Sequence, residues 1–373
     1  MAYNRTGKDK NLSRNKIYRL IYSSGGISKP EIAFRLGISL PTAIQNVRYL
    51  RQEGFIEEKG VLHATGGRNA VTLACVKDAR FAVGVDITQR HMSLVLTDLG
   101  GEIHDRLRLP IPYSNSAKYV RQLGELVHTL IDRPGVSADK ILGVGISVPG
   151  ILSSDGRVVL DSHALPISGR RCEDFGKYID FPCVLCNDAN AAGIAEIWER
   201  RPVNNVIYLS LSNTVGGSVI LDGGVYSGEN QRGGEFGHMT LVRDGLPCYC
   251  GKKGCLDAYC SATVLSGQTG GDLSVFFDQL KKGDKSLSKL WSRYLDDLAV
   301  AVDNLRMAFD CTVIVGGYVG AHIDGYIDAL RERVADRNTF EKDGSYLEVC
   351  HYRVEAAAVG AALLHIRPFI DSI

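Results

Sequence analysis

No stretch of this 373-residue chain reaches eighteen consecutive apolar residues, so nothing in it reads as a membrane-spanning helix. The polar start MAYNRTGKDKNLSRNK lacks the build of a secretory signal, which makes a soluble, cytoplasmic protein with no membrane partner the expectation. No compositional sign of disorder is present either. With 45% hydrophobic residues the chain can bury a full core, in two or three domains by its length. In a reducing compartment the ten cysteines are expected as thiols, and a tight cluster among them points to metal binding or chemistry rather than to disulfides.

Net charge is nearly absent, at +1, but the balance conceals an asymmetry about Lys77. Residues 1–77 carry 13 Lys and Arg against 5 Asp and Glu, and the remaining residues 30 against 37. A basic module therefore precedes an acidic one, and only the first invites a polyanion. In the basic module, NKIYRLIYSSGG places Ile17, Leu20 and Ile21 at helical spacing and stops at Gly25-Gly26. Ser28 is placed to cap a second helix that Gly37 terminates, and Ser39 a third, LPTAIQNVRYLRQEG, with Ile44, Val47 and Leu50 facing inward. This spacing predicts a helix-turn-helix, and the two short strands around a Gly-rich turn in FIEEKGVLHATGGRNAVTLAC predict a wing. A three-helix domain that binds protein is the alternative; the charge favours DNA. On that reading Thr42, Gln45 and Asn46 face base edges, Arg48 and Arg51 meet phosphates, and Arg68 at the wing tip reaches a minor groove or is a solvated loop charge.

Beyond Lys77 the chain reads as mixed α/β. RFAVGVDITQRHMSLVLTDLGGEIHDRLRL gives three strands, SAKYVRQLGELVHTLID an amphipathic helix, and FPCVLCNDANAAGIAEIWE a strand running into a helix. NNVIYLSLSNTVGGSVILDGGVYSG reads as a hairpin and CTVIVGGYVG as a late strand ending on glycines. Two α/β lobes around a cleft follow.

CYCGKKGC, from Cys248 to Cys255, begins ten residues after His238. His238, Cys248, Cys250 and Cys255 offer one nitrogen and three sulfurs, which suits a closed tetrahedral zinc site, and Gly251 and Gly254 permit the sharp turn that brings Cys255 back. A redox pair would be expected as Cys-x-x-Cys in a thioredoxin-like setting, and unmetallated thiols are the plain alternative. Cys183 and Cys186, in an apolar strand, read as small hydrophobes, and Trp198 and Trp291 as core or interface residues.

GISVPG, NDANAAGIAE, GGEFGH, CYCGKKGCLDAY and VIVGG, in this order behind a winged helix, resemble the ROK family of repressors, open reading frames and kinases, specifically its xylose-repressor-type regulators. The resemblance spans essentially the whole chain. It implies a winged helix-turn-helix over residues 1–77 and a two-lobed actin-like, sugar-kinase-type fold over 78–373. Lobe 1 would cover about 78–195 plus the C-terminal helix, and lobe 2 about 196–350. It implies that the Cys and His cluster is a structural zinc site, and that Asn187, Asp188, Glu235 and His238 contact a sugar, with Asp257 standing where the family usually has Glu. In the family's kinases the residue matching Asp188 is the general base toward ATP; a helix cap is the bland alternative. The phosphate turns depart from the kinases: DITQR has Thr88 and Gln89 where glycines are expected, and SNTVGGS keeps Gly216 and Gly217 but places Ser212 and Thr214 at other glycine positions. ATP and magnesium are therefore not expected. The leading expectation is a sugar-responsive transcription regulator acting on a double-stranded DNA operator as a dimer or dimer of dimers. A sugar kinase tethered to DNA and a ligand-free DNA-binding scaffold are the alternatives.

Overall fold

The computed structural model describes residues 5–62, 70–200 and 203–373. The N-terminal head consists of helices α1 (Arg5–Ser24), α2 (Lys29–Leu36) and α3 (Leu40–Gln52) and an antiparallel pair, β1 (Ile56–Leu62) and β2 (Ala70–Cys75). Both helix starts are capped by serine: Ser28 Oγ accepts from the Glu31 N–H and Ser39 Oγ from the Thr42 N–H. Gly37 closes α2 at φ 62°, the left-handed conformation that favours glycine. Ile17, Tyr18, Ile21, Ile32, Val47 and Leu50 are buried between the helices, as their spacing requires. Ile44 departs from the expectation. It is 39% exposed, and Ala43 takes the inward position instead.

Lobe 1 is built on β3 (Phe81–Ile87), β4 (Met92–Asp98), β5 (Ile103–Leu109), α4 (Ala117–Asp132), β6 (Ile141–Val148), the small hairpin β7 (Ile151–Leu152) and β8 (Val159–Asp161), α5 (Cys172–Phe175), β9 (Cys183–Asn187) and α6 (Asp188–Glu199). Its five-stranded sheet runs β5-β4-β3-β6-β9; the β3, β6 and β9 neighbours are parallel and the hairpins antiparallel. Lobe 2 contains β10 (Val206–Leu211), β11 (Val215–Leu221), β12 (Gly224–Val225), α7 (Asp257–Cys260), α8 (Ala262–Ser266), α9 (Leu273–Lys281), α10 (Lys285–Phe309), β13 (Thr312–Gly316), α11 (Gly317–Gly320), α12 (Ile327–Ala335) and β14 (Leu347–Val349). The second sheet, β12-β11-β10-β13-β14, repeats the topology of the first. The last helix, α13 (Ala356–Ser372), returns to lobe 1.

Two helices tie the molecule together. The α13 backbone lies directly on β3 and β6, where a Cβ on Gly84 or Gly145 would run into the carbonyls of Ala358 and Ala361. Helix α6 packs on α13 and also on β10 and β11 of the second lobe, so it stands between the sheets. The head shares this core. Asn15 Nδ2 donates to the Ile370 carbonyl at 2.6 Å, Arg19 pairs with Asp371, and the Phe55 and Phe369 rings lie edge to face at 5.6 Å. Ile17, Leu50 and Phe55 of the head belong to one hydrophobic cluster with Ile366 and Ile370 of α13. Among the described residues, no helix is long and apolar enough to cross a membrane.

Candidate functional site

Between the lobes lies a cavity of about 470 Å³, lined among others by Asp86, Thr88, His163, Asp188, Tyr249 and Tyr318. Strand β9 ends at Asn187, and α6 starts at Asp188, on the cavity wall. The capping role falls to Asn187: its Oδ1 accepts from the Asn190 N–H at 2.9 Å, and its Nδ2 donates to the Gly150 carbonyl at 3.0 Å and to Asp188 Oδ1 at 3.1 Å. The Asn187 amide is thus largely committed to the fold, and it is not one of the residues lining the cavity. Asp188 does line it. One of its oxygens accepts from the Ala189 N–H at 2.9 Å.

Burial, and then the charges of Asp86 and Glu235, push the Asp188 carboxyl up to about 7. Asp86, fully within the protein, is raised by burial to about 6, against the opposing effect of the Ser147 hydroxyl that donates to it at 3.0 Å. The cleft floor therefore holds two desolvated carboxylates near their titration points, suited to accept hydrogen bonds from sugar hydroxyls or a proton from one.

Glu235 stands exposed at the N-terminal side of the turn that carries His238. His163, from the loop after β8, faces this turn across the cleft, its ring 6.5 Å from His238 and 5.9 Å from Tyr249. Asp257 does not join them. Its buried carboxylate accepts from the Val215 N–H at 2.6 Å, and it is not a lining residue. The expectation that it contacts sugar is corrected accordingly: the short side chain is spent on holding the start of β11.

His238, Cys248, Cys250 and Cys255 converge as their spacing predicts, with one donor atom from each lying within 4.8 Å of all the others. Cys250 Sγ is 3.7 Å from Cys255 Sγ, and Cys248 Sγ is 3.9 Å from His238 Nδ1. Two thiolates bound at roughly 2.3 Å around a tetrahedral zinc would stand about 3.8 Å apart, so the donor set and its spacing fit that ion. Gly251 at φ 86° and Gly254 at φ 79° make the turn, and the backbone pairs Cys248 with Lys252 and Leu241 with Gly254. His238 Nε2 stands 3.4 Å from the hydroxyl of Tyr249, which lines the cavity, whereas His238 and Glu235 do not line it themselves.

Both turns facing the cavity are closed on themselves. The Thr88 N–H and hydroxyl both donate to the His91 carbonyl, at 3.0 Å each, while the His91 N–H donates back to Thr88 Oγ1. The second turn is made by Ser212, Asn213 and Thr214. Gly216 and Gly217, expected within it, are instead paired along β11 with Ser210 and Leu209, and Gly217 leaves room for the Phe236 ring.

On the head, Gln45 and Arg48 are exposed on α3 and Thr42 is partly so. Asn46 is corrected. It is buried and donates Nδ2 to the Thr42 carbonyl at 2.8 Å, so it supports the helix from inside rather than facing a groove. Arg51 is exposed and bonded to Glu58 at 2.9 Å. Arg68 lies outside the described residues.

The two repeated α/β sheets, the helices between them and the cleft define the actin-like sugar-kinase fold, here carrying a winged helix-turn-helix. Residues 82–367 match the ROK family and residues 10–57 the winged helix-turn-helix DNA-binding family. The chain belongs to the ROK family. It is 30% identical over 267 residues to the xylose repressor of Bacillus spizizenii, covering 69% of this chain and 67% of that one. It is 28% identical over 292 residues to the N-acetylmannosamine kinase of Escherichia coli O157:H7, covering 76% of this chain and 97% of the kinase. A solved ROK family transcriptional regulator, described as a homolog of the E. coli MLC protein, shares the fold with a TM-score of 0.74 at 19% identity, over 98% of this chain and 97% of that one.

Asp86, His163, Tyr249 and Tyr318 join the site without belonging to the expected set. Asp86 opens the turn DITQR, Tyr249 sits between the cysteines of CYCGKKGC and Tyr318 follows the glycines of CTVIVGGYVG, so each lies in a motif without being marked by it, and His163 lies in none of them; tertiary folding brings the four to one cavity.

Proposed function

We propose that this protein is a sugar-responsive transcriptional repressor whose ROK domain binds a small carbohydrate through Asp188 and neighbouring cleft residues, holds a structural zinc, and controls DNA binding by the winged head. The observation that carries this reading is the shared core of the head and α13, because α13 packs on α6 and α6 begins at Asp188. A ligand that changes the lobe arrangement acts on the element against which the head is docked. The similarity to a xylose repressor supports the class of protein, and a pentose is one natural member of a test panel. In the head, Gln45 with Thr42 reads bases, Arg48 meets phosphate, and Arg68 extends the contact through the wing. Two such heads in a dimer would match a two-fold symmetric operator. The zinc would be held by His238, Cys248, Cys250 and Cys255, and would fix the loop that presents Glu235 and Tyr249 to the sugar.

The experiment is a melting-temperature screen of pentoses, hexoses and their amino derivatives, followed by operator binding with each sugar that shifts the transition. A sugar that stabilises the protein and alters its DNA affinity supports the reading; stabilisation with no effect on DNA would remove the regulatory part.

A second reading, retained kinase activity, draws on the position and raised proton affinity of Asp188, which suit a general base. A coupled assay on the sugars that bind decides it. Turnover within roughly 1–100 per second, lost in Asp188→Asn, would establish a kinase.

A further inference from the structure

The glycine pair at the end of β13 looks, in sequence, like a surviving piece of a phosphate cradle. Its surroundings say otherwise. The Gly317 N–H, which such a cradle would offer to a phosphate oxygen, donates to the Tyr208 hydroxyl at 3.1 Å. Gly317 has φ 74°, and a Cβ there would lie 2.7 Å from the Leu211 nitrogen and from Ser212 Oγ, so the glycine is required by close packing against β10.

The next residue, Tyr318, then enters the cleft. It belongs to lobe 2, yet its partners belong to lobe 1. The Arg108 guanidinium carbon, from β5, is 5.4 Å from its ring centroid, a cation–π contact across the lobes. Thr88 and Tyr318 line the same cavity, together with Ser212 of the second turn. The phenol therefore spans the gap between the two turns, where a nucleotide triphosphate bridging the lobes would need its phosphates to lie.

We infer that Tyr318 is the specificity-determining residue that excludes nucleotide from this cleft and replaces its phosphates as the bridge between the lobes, so that sugar alone suffices to set the lobe arrangement. The inference rests on the reading of the cleft as a sugar site without phosphoryl transfer. Its physical content is twofold. The ring fills space that phosphate oxygens would need, and its contact with the Arg108 guanidinium supplies the cross-lobe interaction that a bound nucleotide would otherwise supply.

The test is calorimetry with magnesium and AMPPNP, a non-hydrolysable ATP analogue, on the full chain carrying Tyr318, Tyr318→Phe, Tyr318→Ala or Tyr318→Gly. Each protein is also assayed for sugar-induced melting shift. The wild type and Tyr318→Phe are expected to bind AMPPNP too weakly to measure at millimolar concentration. Tyr318→Gly and Tyr318→Ala are expected to bind at least about tenfold more tightly than wild type. Tyr318→Phe keeps the ring over Arg108 and should keep most of the sugar-induced shift, whereas Tyr318→Ala removes the ring and should show a smaller one. If both small-residue variants fold, as judged by circular dichroism, and bind AMPPNP no better than wild type, the inference is overturned. Wild-type binding as tight as that of Tyr318→Gly overturns it as well. Absence of any sugar-induced shift in the wild type would instead remove the sugar reading, while the AMPPNP comparison still decides the role of Tyr318. Should Tyr318→Gly not fold, the same comparison is made with Tyr318→Ala.

Discussion

Trp198 donates its indole N–H to the Gly100 carbonyl at 3.1 Å, and the hydroxyl of Tyr22, on the first helix of the head, donates to the same oxygen at 3.3 Å. One carbonyl on the turn after β4 thus joins the far end of α6 to the DNA-binding module. The Trp198 and Tyr22 rings lie 6.2 Å apart, and Tyr352 secures the turn by donating to the Gly101 carbonyl at 3.0 Å. Glu196, two residues before Trp198 on α6 and fully buried, accepts from the His351 and Tyr352 N–H groups and pairs with Arg200. The cleft end of α6 begins at Asp188, so this helix connects the candidate ligand site to the docking face of the head.

Trp198→Phe should therefore weaken the coupling between sugar and DNA more than it weakens either binding event. The indole hydrogen bond is lost while most of the apolar contact remains. A loss of about 1 kcal/mol of coupling free energy, or roughly fivefold in the sugar effect on DNA affinity, is expected. Titrating DNA with and without saturating sugar measures it, and an undiminished sugar effect would show that this contact is passive.

The metal cluster predicts about one zinc per chain in protein purified without added metal. Cys250→Ser should lose the ion and, with it, the sugar-induced melting shift, because the turn carrying His238 is then unfastened. Elemental analysis beside a melting scan checks both. Retention of a full equivalent of zinc by Cys250→Ser would exclude the proposed ligand set.

In the head, Gln45→Ala should cost roughly 1–3 kcal/mol on a selected operator and little on random duplex. Asn46→Ala should behave differently. It removes a buried amide bonded to the Thr42 carbonyl, so it should lower stability by on the order of 1 kcal/mol without changing which sequence is preferred. Binding by the wild type should weaken steeply with salt, as expected for a basic module meeting phosphates.

The proton affinity of Asp188 sets a pH dependence. Its carboxyl titrates near 7 in the folded chain and near 4 when unfolded, so the folded state holds the proton more tightly. This group then opposes folding only where it must ionise. Its cost is absent below about pH 4, grows as pH rises through that window, and is complete above about 7. The unliganded protein should lose melting temperature between pH 5 and about 8, less so in Asp188→Asn. A sugar that needs the carboxylate as acceptor should bind more tightly as pH rises through 7 and level off above it. Affinity that is flat from pH 5 to about 8 would remove Asp188 from the contact.

Much of this was legible locally. The serine caps at Ser28 and Ser39, the Gly37 stop and the hydrophobic spacing of α1 to α3 act within a few residues, and each element forms as its sequence indicates. The zinc-type cluster was legible because its donors lie within a short stretch that two positive-φ glycines must fold back. The orientation of Asn46 was not, since an Asn at that spacing reads equally as a surface donor or as an inward amide until the packing of Ala43 and Val47 fixes the helix rotation. Gly216 and Gly217 resemble turn residues because they stand beside a turn, but they lie in β11, where Gly217 makes room for the Phe236 ring. His163 has no local signature, and Tyr318 has only its place after a glycine pair, because their positions in the cleft arise from segments of opposite lobes meeting across it.

The central claim is that the cleft and the head are thermodynamically linked, and it is tested most directly by one reciprocal measurement. Affinity for an operator selected from random duplex is determined with and without the sugar that gives the largest melting shift, and affinity for that sugar with and without the operator. The account predicts that each ligand changes the affinity of the other by the same factor, in the range of about 5–150-fold, and that Asp188→Ala abolishes both changes. Tight sugar binding and tight operator binding that leave one another unchanged would contradict it.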